Sequence, residues 1–197
     1  DLRSEGLWLR RINIRQVEGQ GFQEISESNF RSFKRKVREN IDKPLLEEMF
    51  PLGSILNDVW WETHDDRIRR PEQVLNSLHR DKSIYGKSGI TFGRQIGAYP
   101  ILVGVPYHIP LETDSDILVT GHGMRSISGV ELGLDINSIS QQQLESIPGI
   151  GKKGAWRIIS SRAQASRKSD LPFNSVEEAF SMANLQMPLL AKKILKI

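Results

Sequence analysis

The chain has 197 residues, 27 Lys+Arg against 24 Asp+Glu, and a formal charge of +3. Apolar residues make up 38% and charged residues 26%, which excludes wholesale disorder and leaves room for one large domain or two small ones. There is no cysteine, which removes disulfides, thiolate metal sites, iron–sulfur ligation and a Cys nucleophile from this chain.

In chain order, the charged stretch DLRSEGLWLRRINIRQ is no signal peptide, and no apolar run reaches the ~20 residues a bilayer span needs. A start at Asp1 inside a patterned segment suggests a piece of a longer protein. Leu7–Val17 alternates at its end, with Ile12 and Ile14 on one face and Asn13 and Arg15 on the other, as a half-buried strand does. Ser28 or Asn29 can cap the helix that follows. Phe30, Phe33, Val37 and Ile41 form its apolar stripe, and Arg31, Arg35, Lys36 and Arg38 its basic face. Asp42–Lys43–Pro44 reads as a break and restart before Leu45, Leu46, Met49 and Phe50.

From 53 to 133 the texture is that of strands. The runs SILNDVWWE, SGITFGRQIG, YPILVGVPY, DILVTGHG and RSISGVEL are separated by turn residues at the spacing of a small sheet or barrel. Only Pro71–His79 is more helical. Eight cations face ten carboxylates in this segment. Gly93–Arg94–Gln95 and Gly121–Ser126 place a basic residue beside glycine, which suits either a single-stranded backbone or plain tight turns. His64, His79, His108 and His122 are scattered without a ligand-spaced pair, so no metal site is expected. Trp60–Trp61 puts one indole in a core and the other outside, because neighbouring strand residues face opposite ways.

After Leu134 the period is helical. Ser140–Gln143 and Ser175–Glu178 are capping boxes that open two similar helix pairs about 35 residues apart. The first pair carries SIPGIGKKGAWRII, Ser146–Ile159. Gly149 and Gly151 permit positive φ and close approach by another backbone. The second helix then starts with outward N–H groups, a partial positive charge, and Lys152 and Lys153. That suits a phosphate oxygen, while Ile150 turns inward to pin the helices. From Asn137 to Ser169 there are six cations and a single carboxylate, Glu145. Such contacts hold a backbone without reading bases. The candidate nucleic-acid-binding residues are Gly149, Ile150, Gly151, Lys152, Lys153, Arg157 and Arg162. A purely structural turn is the alternative. In the second pair Asn184 stands where a glycine is expected and Pro188 at the new helix start, so that pair reads as a packing partner.

INSISQQQLESIPGIGKKGAWRIISSR, Ile136–Arg162, resembles the helix-hairpin-helix modules of DNA-repair and DNA-uptake proteins. With GLWLRRINIRQV (Gly6–Val17), LLEEMFPLGSIL, FGRQIGAYPILVGVP (Phe92–Pro106) and GHGMRSISGVE (Gly121–Glu131), the chain is similar to the C-terminal region of archaeal radical-SAM iron–sulfur oxidoreductases. The resemblance implies that Leu7–Val17 is the closing strand of a catalytic barrel. It also implies a 4Fe-4S cluster and S-adenosylmethionine in an upstream domain of the same polypeptide. With the Cys-x3-Cys-x2-Cys motif absent, no catalytic residue is carried over.

The expected fold is α+β. Residues 1–52 would hold the end of the catalytic barrel and basic linker helices, 53–133 a small β-rich, barrel-like domain, and 134–197 an all-α tandem helix-hairpin-helix domain. The expected activity is binding of a DNA or RNA backbone in the cytoplasm, with no membrane contact. The alternative is an interaction module that caps the catalytic barrel.

Overall fold

The computed structural model describes residues 12–17, 25–65, 89–97, 100–167 and 171–197. The helical expectation for Pro71–His79, with His79, and the start of the Leu7–Val17 segment lie outside these residues.

Helix α1 spans Glu27–Val37 and is capped by Ser26, whose side chain accepts from the Asn29 N–H, rather than by Ser28 or Asn29. It does not break at Asp42. The chain passes through a π-helical turn, Arg38–Asp42, directly into α2, Lys43–Met49. Proline lacks an N–H and crowds the preceding turn of an α-helix. Widening that turn, so that the Lys43 N–H reaches the Arg38 carbonyl, accommodates Pro44 without ending the helix. The apolar stripe of α1 is left largely open, with Phe33 54% exposed, while Leu46 of α2 enters the barrel core.

Five strands form a closed barrel: β1 (Ile55–Asp65), β2 (Ile90–Gln95), β3 (Leu102–Val105), β4 (Asp114–His122) and β5 (Ser126–Glu131), in the order β1-β2-β3-β5-β4. All neighbours are antiparallel except β3 and β5. Strand β4 returns beside β1 after the β1-β2-β3 meander, which is Greek-key connectivity. Alternate residues fill the interior, among them Val59, Trp61, Val103, Val105 and Ile127. Trp61 is fully buried and donates through Nε1 to Ser115 Oγ at 2.9 Å, while Trp60 stands 39% exposed on the outer face.

The expected fold is overturned at the C-terminal end, in residues 134–197. The described N-terminal residues 12–17 pair with no strand. The Ile12 amide instead donates to Asp42 Oδ1 at 2.8 Å, so its backbone is satisfied by a side chain rather than a ladder. The C-terminal region is not an all-α domain. Strand β6 (Leu134–Asp135) pairs in parallel with β7 (Leu195–Lys196). The helices between them are α3 (Gln141–Ser146), α4 (Gly151–Ala165), α5 (Val176–Met182) and α6 (Ala191–Ile194). Nor does this region keep a core of its own. Leu118 of β4 and Val130 of β5 pack in the same apolar cluster as Ile136, Leu144, Ile158, Phe173 and Ile194. The molecule is therefore an α+β structure in which β4 and β5 face two cores, one inside the barrel and one shared with the helices. Among the described residues, no helix is long and apolar enough to cross a membrane.

Candidate nucleic-acid interface

Helix α3 opens with a complete capping box. Ser140 Oγ accepts from the Gln143 N–H at 3.2 Å, and the Ser140 N–H donates to Gln143 Oε1 at 3.0 Å. Pairs of this kind stabilise a helix start by about 1 kcal/mol. The helix ends at Ile147, and Pro148–Gly149–Ile150 turns the chain into α4.

Gly149 has φ +92° and Gly151 φ +61°. The two differ in their surroundings. A Cβ on Gly149 would lie 3.0 Å from two atoms of Pro188, whereas one on Gly151 would meet nothing within 4 Å. The turn is thus tied to the second helix pair on one side and open on the other. Ile150 is 9% exposed and belongs to the C-terminal core. No side chain caps the first turn of α4. Lys152 and Lys153 are exposed there, and Arg157 is half-buried one turn on. Trp156 is 62% exposed and lies four residues after Lys152, on the same helical face.

Arg162 has a different task. Its Nη1 donates to the Ile139 carbonyl at 2.7 Å and the Ile136 carbonyl at 3.3 Å. Burial pulls its guanidinium below the usual arginine range, and Asp135 partly offsets this. It fastens the segment leading from β6 into α3, so its donors are not presented with those of Lys152 and Lys153. Among the sequence candidates, the structure brings Gly149, Ile150, Gly151, Lys152 and Lys153 to one turn and ties half-buried Arg162 to backbone carbonyls instead.

The second pair packs on the first. Asn184 adopts φ +51°. Its N–H donates to Ser181 O and the Leu185 N–H to Phe180 O, both at 2.9 Å, closing α5 with a Schellman motif.

Around the barrel, Arg94 is exposed, sits opposite Trp60 and lies 3.8 Å from Glu62. Arg125 donates through Nε to Asp42 Oδ2 at 2.7 Å and through Nη2 to the Ile12 carbonyl at 2.8 Å. It clamps residues 12–17 and the π-turn to the β4–β5 loop. His122 lies 2.6 Å through Nε2 from the Phe50 carbonyl. His64 and His108, distant in sequence, stack at 4.3 Å between ring centroids. On the outer face of β2 and β3, the Phe92 ring lies beside Gly104, where a Cβ would meet it at 3.1 Å. A groove of about 150 Å³ runs there past Thr120, Ser126, Ser128 and Ser146.

The sequence reading passed over Trp156, whose exposure follows from counting helical turns outward from Ala155 and Ile158, both fully buried. It also passed over the Asp42–Arg125 clamp, whose partners are 83 residues apart and leave no local signal.

No family model matches the chain, and no solved structure matches it. An uncharacterized protein of Archaeoglobus fulgidus is 34% identical over 164 residues, covering 78% of this chain and 26% of that protein. An uncharacterized protein of Methanocaldococcus jannaschii is 31% identical over 140 residues, covering 66% of this chain and 22% of that protein. The chain spans about a quarter of the length of these archaeal relatives.

Proposed function

We propose that this chain is a nucleic-acid-binding region of a larger archaeal protein and grips the sugar-phosphate backbone through the α3–α4 turn. The observation that carries this reading is the turn itself. Gly151 is open to close approach at the uncapped start of α4, with exposed Lys152 and Lys153 on the next two residues. Backbone N–H groups and the helix dipole favour an anion at such a helix start, and two full charges on its first residues strengthen the field there. Trp156 on the same face offers a ring on which an unpaired base stacks. A five-stranded Greek-key barrel with a half-exposed aromatic on β2 is an architecture that also suits single strands, although fold alone carries no function.

The experiment is a salt titration of binding to single- and double-stranded DNA and RNA. Lys152→Ala with Lys153→Ala weakens binding to every sequence alike. The slope of log K against log salt becomes shallower by about 2, one for each lost phosphate contact. Equal binding by variant and parent at both low and high salt would refute it.

The resemblance to radical-SAM oxidoreductases belongs to the same proposal. The relatives are about four times as long as the matched region, which leaves ample chain for a catalytic domain. The residues of this chain do not fit the cluster, because none is a cysteine; the 4Fe-4S centre and S-adenosylmethionine would belong to the upstream part. A second reading, docking against that upstream part or another protein, is favoured by the exposed apolar side chains of Leu189 (84%) and Trp156 (62%). It predicts no salt-sensitive binding to any nucleic acid.

A further inference from the structure

A cavity of about 370 Å³ opens between residues 12–15, α1, the π-turn and the β4–β5 loop. Its lining carries four cations: Arg15, Lys34, Arg38 and Arg125. The carboxylate fixed beside it, Asp42, is 1% exposed and has both oxygens engaged, Oδ1 by the Ile12 amide and Oδ2 by Arg125 Nε. Its charge is thereby turned onto Arg125 and the backbone. Arg125 uses two of its five donors in this clamp and keeps the rest. Lys34 holds its ammonium 4.4 Å above the Phe30 ring. Arg15 and Arg38 are exposed, and their guanidinium groups have no ion pair or hydrogen bond among the described residues. Four like charges around one concavity repel one another and raise the local concentration of anions. The volume lies within the range of small-ligand sites, ~300–1,000 Å³. The clamp fixes Arg125 in the wall and the Phe30 ring seats Lys34, while Arg15 and Arg38 stand exposed at the rim. Guanidinium groups bind phosphate oxygens through paired N–H donors.

We infer that this cavity is a second binding site, independent of the α3–α4 turn, for a ligand recognised by its phosphoryl group. The two sources of that chemistry are a free nucleotide and the phosphorylated end of a strand. Arg15 and Arg38 close on the phosphate from the rim, and Arg125, held by Asp42, presents its remaining donors from the wall.

The test uses calorimetric titration of the chain with a nucleoside monophosphate, the matching nucleoside, and a short single strand with either a 5′-phosphate or a 5′-hydroxyl. The phosphorylated member of at least one pair binds at least tenfold more tightly. That preference disappears with Arg15→Ala and Arg38→Ala, which the clamp does not use, and persists with Lys152→Ala and Lys153→Ala. Preference for the monophosphate identifies a free nucleotide; preference for the strand alone identifies an end. Equal binding of both members of each pair by the parent, or an undiminished preference in the Arg15/Arg38 variant, overturns the site. Loss of the phosphate preference with salt-sensitive strand binding intact would leave the α3–α4 reading standing. The reverse result would leave the cavity standing.

Discussion

Gly149 and Gly151 share a left-handed backbone but would respond differently to a side chain. An L-residue in that region costs roughly 1–2 kcal/mol. At Gly151 the added methyl enters open space, so Gly151→Ala should lose only about 1 kcal/mol while blocking backbone approach. Gly149→Ala adds pressure on Pro188 at 3.0 Å and should lose about 2 kcal/mol. Urea unfolding and a binding titration on both variants separate the effects: Gly151→Ala should be the better folded and the worse binder. The need for glycine at these two positions, and for Asn184 in the second pair, was legible in the sequence because positive φ restricts residue type so sharply. The direction of Arg162 was not. A count of six cations to one carboxylate says nothing about which of them turn inward, and Arg162 turns to two carbonyls that no charge pattern reveals.

Glu131, at the end of β5, joins elements rather than lying on one. It contacts Ser115 of β4 and Gln143 of α3, and its amide donates to the Tyr107 hydroxyl at 2.9 Å. Burial raises its carboxyl above the ordinary 4.5, with the hydrogen bonds from Ser115 and Gln143 pulling the other way. The folded state therefore holds the proton to higher pH than the unfolded state does. The associated stability is complete below 4.5 and is lost as pH rises through the elevated value. Glu131→Gln should flatten this part of the pH dependence and leave the protein at least as stable as the parent at neutral pH. Denaturation midpoints measured from mildly acidic to neutral pH check it; an unchanged pH slope would count against the assignment. The elements themselves were unevenly legible. Ser140–Gln143 announced α3 because a capping box is a local, two-residue chemistry. The π-turn was hidden because Pro44 normally ends a helix, and the sequence does not show that a widened turn can absorb it. Strands β6 and β7 are two residues each, too short to show a period, which is why residues 134–197 read as all-α.

Across the molecule, the shared core is what most separates the structure from a chain of independent modules. Leu118 is fully buried and belongs to a barrel strand, yet it packs among the C-terminal helices. Leu118→Ala should lose about 2–5 kcal/mol. Because β4 and β5 contribute to both cores, the loss should lower a single unfolding transition, seen at the same urea concentration by the near-ultraviolet signal of buried aromatics and the far-ultraviolet signal of the helices. Two separated transitions would show that barrel and helices unfold independently. The short, Gly- and Pro-punctuated runs between 53 and 133 marked strands. Nothing in them stated that β3 would meet β5 in parallel and close the ring, since that pairing joins residues more than twenty apart with no turn between them. Closure has a consequence for molecules crowded together. An open sheet leaves a row of unpaired amides and carbonyls that templates addition of strands from neighbouring copies. Here every described barrel strand has a ladder partner on each side, and the remaining strand pair is two residues long, below the length that seeds such stacking. High local concentration is then tolerated without edge-to-edge aggregation.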